Sequence, residues 1–230
     1  MAKAPPSFDP KLFKFLRQLR RNNTRDWFQA NKETYEEHVK HPALQFISDF
    51  GPRLREISRN FRADPRPVGG SLFRIYRDVR FSKDKSPYKT TVGIQFRHQK
   101  SKDVHSPGFY LHLDPGGCFV GLGIWHPDGK SLTKIRSFVD ENSTRWKRTV
   151  GSQTFRSHFE LGGDSLKRAP KGYDPDHPLI EDLKRKDFIA YTPLDDSAVT
   201  APGFLDDYAR LCRSGGSFVR FLCDAIGVPF

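Results

Sequence analysis

The sequence predicts an α+β fold, in which a mainly antiparallel β-sheet is flanked by N-terminal and C-terminal helices. Helical periodicity fills the first quarter of the chain, alternating apolar residues follow over residues 71–124, and helical periodicity returns after residue 131. A chain of 230 residues, 36% of them hydrophobic, can bury one core without disulfides or metal ions. We therefore expect residues 1–230 to form a single domain, with residues 1–8 as a flexible N-terminal tail.

Three helices are predicted in the first quarter of the chain. Asp9 followed by Pro10 is a typical helix start, an N-cap and then a proline at the first helical position. Thr24 can cap a second helix, which we expect to stop before Pro42. An apolar stripe at helical spacing over residues 44–61 predicts the third helix.

The middle of the chain predicts strands. Alternating apolar residues indicate strands at residues 73–81, 92–96, 109–113 and 120–124. The turn of Asp114, Pro115, Gly116 and Gly117 predicts a hairpin between the last two of these. Residues 188–192 could add a short strand, and residues 204–226 predict one long terminal helix.

Cysteine usage and hydropathy suggest an ordinary intracellular protein. Cys118, Cys212 and Cys223 lack metal or redox spacing, and the last two are placed on one side of the terminal helix, so packing is their expected role. The N-terminal segment has no apolar stretch typical of a signal peptide, and no run is long enough to span a bilayer. We expect a cytoplasmic protein without membrane contact, metal or cofactor.

Positive charge is concentrated in the first part of the chain. The net charge is +12, and residues 1–100 hold 22 Lys and Arg against 10 Asp and Glu, whereas the remaining residues balance. This asymmetry favours an anionic partner, either a small ligand or a nucleic acid, although a solvated basic face has the same composition.

The densest chemistry lies in residues 73–90, a segment rich in Arg, Lys, Tyr and Asp. If it forms a strand, Arg77 shares a face with Phe73, Ile75, Val79 and Phe81. A guanidinium on such an apolar face needs a carboxylate, a carbonyl or a bound anion, because a buried unpaired charge is unfavourable by several kcal/mol.

The spacing Arg74-x-x-Arg77-Asp78-x-Arg80-Phe81, followed by Lys85 and Tyr88, resembles the hallmark of a mostly bacterial family, domain of unknown function 2461. The resemblance covers nearly the whole chain and includes residues 23–35, 108–127 and 166–178. It implies a shared fold and a shared site, and it brings no established activity with it.

Three interpretations of this segment remain open. In the first, a phosphate- or carboxylate-bearing small ligand is bound by the strand-loop of residues 74–89. The candidate binding residues are Arg74, Arg77, Arg80, Lys83, Lys85, Tyr88 and Lys89. Asp78, Asp84 and Tyr88 are the candidate catalytic residues; either aspartate could orient an arginine, hold magnesium or act as a base. The sequence does not decide whether the protein is an enzyme.

In the second interpretation, the same basic surface follows a nucleic-acid backbone, and Trp27, Tyr76 or Tyr88 provides a stacking surface. In the third, no ligand binds, and Asp78 and Asp84 form structural ion pairs with the arginines. Nothing in the sequence indicates the oligomeric state.

Weaker signals favour ordinary structural roles. Residues 123–131 resemble a P-loop but have the wrong spacing, and we expect a turn and a helix capped near Ser131. Asp176 reads as a helix cap rather than as part of an acid–base group with Asp174 and His177. Trp27, with Asn31, could line a pocket but is expected to fill the helix–sheet interface.

Two further patterns have functional alternatives. A metal site formed by His105, His112 and His126 is conceivable, but their spacing matches no metal motif. Gly121 and Gly123 lie on one strand face, where crowding by a helix is a commoner reason than close approach of a ligand.

Overall fold

The computed structural model describes residues 5–100 and 105–230 and confirms the α+β class. Its centre is a five-stranded antiparallel sheet in the order β1-β2-β3-β5-β4. The strands are β1 (Val92–Arg97), β2 (Gly108–Leu113), β3 (Cys118–Ile124), β4 (Glu160–Gly162) and β5 (Phe188–Leu194). The predicted strands near residues 92, 109, 120 and 188 are thus confirmed, and the three-residue β4 is additional.

The β2–β3 hairpin forms at the predicted turn. The Gly117 N–H donates to the Asp114 carbonyl at 2.8 Å, and Gly116 adopts a φ of 75°. A turn with proline before a residue of positive φ requires glycine at the second of these positions. Local sequence therefore determines the register of the two central strands.

Helices precede the sheet, connect β3 to β4 and β4 to β5, and follow the sheet. They are α1 (Pro10–Arg21), α2 (Arg25–Ala30), α3 (Lys32–Tyr35), α4 (His41–Ile57), α5 (Gly129–Glu141), α6 (Ser143–Gly151), α7 (Gln153–Arg156), α8 (Ile180–Leu183), α9 (Asp196–Val199), α10 (Phe204–Ser214) and α11 (Gly216–Ile226). Asp9 caps α1 and Thr24 caps α2, as predicted. Asp128 caps α5, so the cap lies three residues before Ser131. No helix in the described ranges is both long and apolar enough to cross a membrane.

The predicted break before Pro42 is wrong. A π-helical turn (Glu36–Lys40) joins α3 to α4, so the helical path continues through the proline. Pro42 lies in the first turn of α4. The wider π turn accommodates a residue that has no N–H to donate to the preceding turn.

The predicted single terminal helix is also wrong, because Gly215 separates α10 from α11. Cys212 and Cys223 therefore lie on different helices, although both thiols are free and buried, as is that of Cys118. The chain bends where the two helices pack on the sheet. The apolar periodicity of residues 204–226 carries no information about this packing.

One face of the sheet packs against helices. Phe50 of α4 lies 4.6 Å from the ring of Phe96 on β1 and 4.8 Å from Tyr208 of α10. Phe8 packs into the same aromatic layer, 5.1 Å from Phe46, and is 1% exposed. The expected flexible tail therefore does not extend to Phe8; residues 1–4 lie outside the described part of the chain.

Residues 73–81 do not form the predicted strand. Leu72 and Tyr76 make isolated β-bridges, to Ile94 and Tyr88 respectively, and the chain bends between them. Phe81 is 95% exposed, so the apolar face proposed for Arg77 is absent. The segment lies along the edge of β1 and pairs with it at isolated positions only. Its alternating apolar residues therefore make short, separate contacts and do not form a continuous strand.

Candidate functional site

The basic segment, residues 73–90, forms an irregular hairpin at the β1 edge of the sheet. The Phe73 N–H donates to the Gly93 carbonyl at 2.9 Å, and the Lys89 N–H donates to the Ile75 carbonyl at 2.7 Å. These bonds hold the two arms of the hairpin together and attach the first arm to the sheet. The candidate ligand-binding side chains project from this frame.

Two of the three arginines have carboxylate partners. Arg77 pairs with Asp84, and Arg80 pairs with Asp78 through Nη2 at 2.7 Å and Nε at 3.0 Å. Arg77 and Arg80 are thus each matched with a different carboxylate of the same segment. These contacts are the ion pairs that the structural interpretation of the segment requires.

The two carboxylates are held in their ionised form. The hydrogen bond from Arg80 lowers the pKa of Asp78 to about 2. Hydrogen bonds from the Ser86 hydroxyl and N–H, and then from Arg77, lower the pKa of Asp84 further. Carboxylates with such low pKa values are weak bases at neutral pH, since proton transfer is favoured when the pKa lies near the working pH.

Tyr88 lies inside the protein. Its ring stacks on Phe28 at 4.1 Å between centroids, and burial raises the pKa of its hydroxyl. Asn23 holds its backbone, because the amide accepts the Tyr88 N–H at 3.1 Å and donates to the Tyr88 carbonyl at 2.9 Å. The geometry thus places Tyr88 in the interface between the helices and the segment.

No carboxylate pairs with Lys83, Lys85 or Lys89 among the described residues, whereas the charge of Arg74 contributes to the lowered pKa of Asp78. Lys85 donates to the Val79 carbonyl at 2.9 Å, while Arg74 and Lys83 are exposed. The Lys89 ammonium lies 5.3 Å from the centroid of the Phe73 ring. Burial, and then the nearby Arg74, lowers the pKa of Lys89. An anion beside Lys89 would offset both effects.

A concave feature lies on the sheet face opposite the helices. Side chains alternate between the faces, so Tyr110 of β2 lies beside Gly121 of β3, which in turn lies beside Tyr191 of β5. The next row places His112 beside Phe119. Gly121 therefore forms the bottom of a groove on this face of the sheet, and aromatic rings form both of its sides.

These residues enclose a partly open cavity of about 630 Å³. Its wall includes Phe73, Tyr110, Phe119, Trp125 and Tyr191, and Gly121 forms part of its floor. Gly121 has room for a Cβ, since the nearest atom, on Phe119, would lie 3.4 Å away. Helix crowding is therefore not the reason for this glycine, whereas Gly123 needs its φ of 114° and has no space for a side chain.

Polar groups in the cavity are few. The Tyr110 hydroxyl and Nδ1 of His112 lie 3.0 Å apart. Burial raises the pKa of Tyr110 to about 12 and lowers the pKa of His112, an effect that Asp114 partly opposes. Both groups are thus neutral at pH 7, and the cavity offers aromatic surface with this polar pair and the side chain of Gln95.

A histidine–carboxylate pair lies at the Trp125 end of the cavity. Oδ1 of the buried Asp187 accepts the His126 N–H at 2.7 Å and lies 2.9 Å from Nδ1 of the His126 ring. The rings of Trp125 and His126 lie 4.1 Å apart. The sequence pattern singled out His126 as a possible metal ligand but missed Asp187.

The other motif residues have separate places. His177 pairs with Asp140 of α5 at 3.0 Å, and Asp176 does not cap α8, because Leu179 occupies the N-cap position. Trp27 is partly buried and packs on Phe15 of α1. His105, His112 and His126 do not form a metal cluster; the described residues contain no group of three or more potential ligands.

A sequence signal for the cavity existed. The solvent-facing side of an antiparallel sheet normally carries polar residues, so strands read as alternating apolar and polar positions. In β2 and β3 the outward positions hold one polar residue, His112, and otherwise Gly108, Tyr110, Phe119, Gly121 and Gly123. Aromatic residues and glycines at the outward positions thus indicated a second, uncovered apolar surface.

The fold and site define an α+β protein whose antiparallel sheet is packed with helices on one face and carries an aromatic cavity on the other. Residues 11–221 match the family model described as "Conserved hypothetical protein (DUF2461)". The chain belongs to this family, which confirms the resemblance seen in the sequence. Searches of curated proteins and of solved structures found no significant match.

Proposed function

We propose that this protein binds a flat, largely apolar small molecule that carries a carboxylate, phosphate or sulfonate group. The observation that carries the proposal is the aromatic cavity, whose Phe73 wall lies beneath the Lys89 ammonium. The ring system of the ligand occupies the cavity, and its anionic group lies beside Lys89 and Arg74. The proposal keeps the small anionic ligand of the first interpretation but places most of its contacts on the sheet.

Size and lining support this class of ligand. A volume of about 630 Å³ falls within the range of roughly 300–1,000 Å³ of small-molecule sites. Aromatic side chains stack on flat rings in offset or edge-to-face geometry, which stabilises each pair by about 0.5–1.5 kcal/mol beyond simple burial. The lining residues Phe73, Tyr110, Phe119 and Tyr191 offer such faces.

The charge at the Phe73 end supports an anionic substituent. Lys89 is half-buried, close to the positive charge of Arg74, and has no carboxylate partner among the described residues. An incoming anion reduces the repulsion between the two cations and forms a charge-assisted contact. The three free, buried cysteines also suit the reducing cytoplasm, which we propose as the protein's location.

Two dyes with the same ring system test the proposal by fluorescence titration. 1-Anilinonaphthalene-8-sulfonate carries a sulfonate, and N-phenyl-1-naphthylamine does not. We expect both dyes to bind. Gly121→Val fills the floor of the cavity and abolishes binding of both dyes, whereas Lys89→Gln weakens the sulfonate dye about tenfold, equivalent to about 1.4 kcal/mol, and leaves the neutral dye within about twofold.

Matched controls are available in the same chain. Gly151→Val adds the same side chain at an exposed glycine with open space around it, and Lys83→Gln removes an exposed lysine of the same segment. Both variants should bind the dyes as wild type does. Unchanged binding of both dyes by Gly121→Val would show that this cavity is not the binding site.

A second candidate function is binding of single-stranded nucleic acid by the outer part of the basic segment. Tyr76 and Phe81 are exposed, and the Arg80 guanidinium lies 5.9 Å from the Phe81 ring centroid. Exposed rings among cations form the usual surface for base stacking beside a phosphate backbone. Of the other two rings considered for stacking, Tyr88 is buried and Trp27 is partly buried against the core.

Fluorescence anisotropy with a labelled single-stranded oligonucleotide tests this second function. Backbone binding predicts an affinity that falls steeply between about 50 and 200 mM salt, and Phe81→Ala should weaken binding several-fold. Dye binding in the cavity should be unaffected by that substitution. If the oligonucleotide does not bind even at low salt, the second function is rejected.

A further inference from the structure

The cavity ends beside a pair of residues that ligand binding by itself does not require. Asp187 immediately precedes β5 and is 2% exposed. One carboxylate oxygen contacts both the backbone and the ring of His126, and the other accepts the Asp164 N–H at 2.9 Å. A buried carboxylate thus fixes both the position and the orientation of one imidazole.

The backbone of His126 is held in an unfavourable conformation. Its φ is 46°, and it is the one non-glycine residue with a positive φ within the described ranges. Such conformations are sparsely populated by residues with a Cβ, and they concentrate at functional sites where surrounding contacts enforce them. Here the hydrogen bond to Asp187 enforces it.

Neither residue of this pair lines the cavity, but the pair lies directly behind two residues that do. Trp125 and Gly163 both line the cavity, and both contact the pair. The Trp125 ring lies 4.1 Å from the His126 ring, and a Cβ on Gly163 would stand only 2.5 Å from the Cβ of Asp187. The imidazole is therefore separated from the cavity by the Trp125 ring alone, within reach of a ligand group that extends past this ring.

The hydrogen bonding leaves one ring nitrogen available. Nδ1 faces the carboxylate, so in the neutral ring it carries the proton and Nε2 carries the lone pair. The side chain is 49% exposed, and Nε2 makes no hydrogen bond to any residue that the structure describes. This is the arrangement in which a carboxylate orients histidine for proton transfer and stabilises the imidazolium that forms.

We propose that His126 is the acid–base residue of a catalytic site at the Trp125 end of the cavity, with Asp187 as its positioning residue. The inference rests on the proposed function, because the substrate must occupy the cavity. The substrate class is a flat, largely aromatic molecule with an acidic C–H at the Trp125 end and its anionic group at the Lys89 end.

The proposed step is a proton-transfer elimination. Nε2 takes the proton, the C–H electron pair forms a new π bond, and the bond to the leaving atom breaks with its electrons on that atom. The imidazolium then returns the proton to the leaving atom or to water. No oxidant, reductant or second substrate is needed.

5-Nitrobenzisoxazole is a suitable test molecule, since it is flat and aromatic and requires only a base. Removal of its ring C–H proton forms a nitrile as the N–O bond breaks and releases a coloured phenolate. We expect wild-type protein to catalyse this reaction. His126→Asn, which retains a residue tolerant of positive φ, should lower kcat/KM at least tenfold with unchanged affinity for N-phenyl-1-naphthylamine.

His177→Asn is the matched control, because His177 also pairs with an aspartate, but its ring packs against Tyr173, which does not line the cavity. It should retain the wild-type rate within about twofold. Asp187→Asn should lower kcat about tenfold and leave KM unchanged in protein that remains folded by circular dichroism. A purely structural role of Asp187 would lower the melting temperature without this separate loss of kcat.

The outcomes separate the two proposals. If the neutral dye binds but the reaction does not depend on His126, the catalytic inference is overturned and the binding function stands. If neither dye binds to the wild-type protein, both are overturned. A His126-dependent rate that 1-anilinonaphthalene-8-sulfonate inhibits competitively would support both.

Discussion

His98 is a buried histidine whose contacts define one tautomer. Its Nε2 lies 2.8 Å from the Pro229 carbonyl, to which it donates, and its Nδ1 accepts the Lys100 N–H at 3.2 Å. Burial lowers the pKa of His98 below its ordinary value of 6.5. Protonation of Nδ1 would remove the bond from Lys100, so the folded protein resists it.

This contact predicts a loss of stability in mild acid. As pH falls through 6.5, the unfolded chain takes up a proton at this position before the folded protein does, so the unfolding free energy decreases. The maximum slope is about 1.4 kcal/mol per pH unit for one such proton. Urea denaturation between pH 7.5 and 5 measures it, and His98→Gln should reduce the slope.

His112, whose pKa burial also lowers, contributes a second proton of the same sign. Phe81→Ala, which removes an exposed side chain that does not titrate, is the control and should keep the wild-type slope. A pH dependence unchanged in His98→Gln would contradict the assignment of His98 as a neutral buried residue.

Prediction from sequence succeeded at single residues where the cause was local. Asp9 and Thr24 cap helices because their side chains accept backbone N–H groups two or three residues ahead. The ion pairs of Arg77 and Arg80 were left open, since several acceptors were within reach of the same arginines. Contacts between Asp187 and His126, 61 residues apart, had no local signal at all.

At the scale of elements, the junction of α10 and α11 shows how packing overrides periodicity. The apolar spacing of residues 204–226 is helical throughout, yet the chain bends at Gly215. A Cβ at this glycine would lie 2.1 Å from Cδ2 of the buried Leu122 and 3.3 Å from the ring of Phe159. The backbone must therefore approach β3 more closely than any residue with a side chain allows.

Two adjacent glycines give a sharp test of this close approach. Gly215→Ala should destabilise the protein by about 1–3 kcal/mol, because it overpacks the contact with Leu122. Gly216→Ala meets only the Phe230 ring at 3.7 Å and should be neutral or stabilising by up to about 1 kcal/mol. Urea denaturation of both variants measures the difference, and equal stability would refute the steric explanation.

At the scale of the whole molecule, the aromatic layer joins the two ends of the chain. Phe8 lies 5.1 Å from Phe46 of α4 and 6.1 Å from Phe204 of α10. The N-terminal helices and the C-terminal pair therefore share one core on the covered face of the sheet. Phe8 precedes the predicted first helix, and its burial shows that the folded domain begins at or before this residue.

Two phenylalanines at opposite extremes of burial test this role. Phe8→Ala removes a side chain that is 1% exposed and should lower the unfolding free energy by about 3–5 kcal/mol. Phe81→Ala removes one that is 95% exposed and should change stability by less than about 0.5 kcal/mol. Thermal denaturation measures the stability of both variants. A small effect of Phe8→Ala would mean that the contact made by Phe8 is not needed for stability.

The amino-acid sequence by itself determined the α+β class, the antiparallel hairpin at Gly116, the first two helix caps and the concentration of positive charge. Each depends on residues that are neighbours in the chain, through periodicity, turn geometry or composition. The tertiary structure decided which arginines are neutralised, where the terminal helix bends, and which sheet face forms a cavity beside Asp187. These depend on distant segments meeting in space, because side-chain packing and buried hydrogen bonds are set by partners that no local pattern specifies.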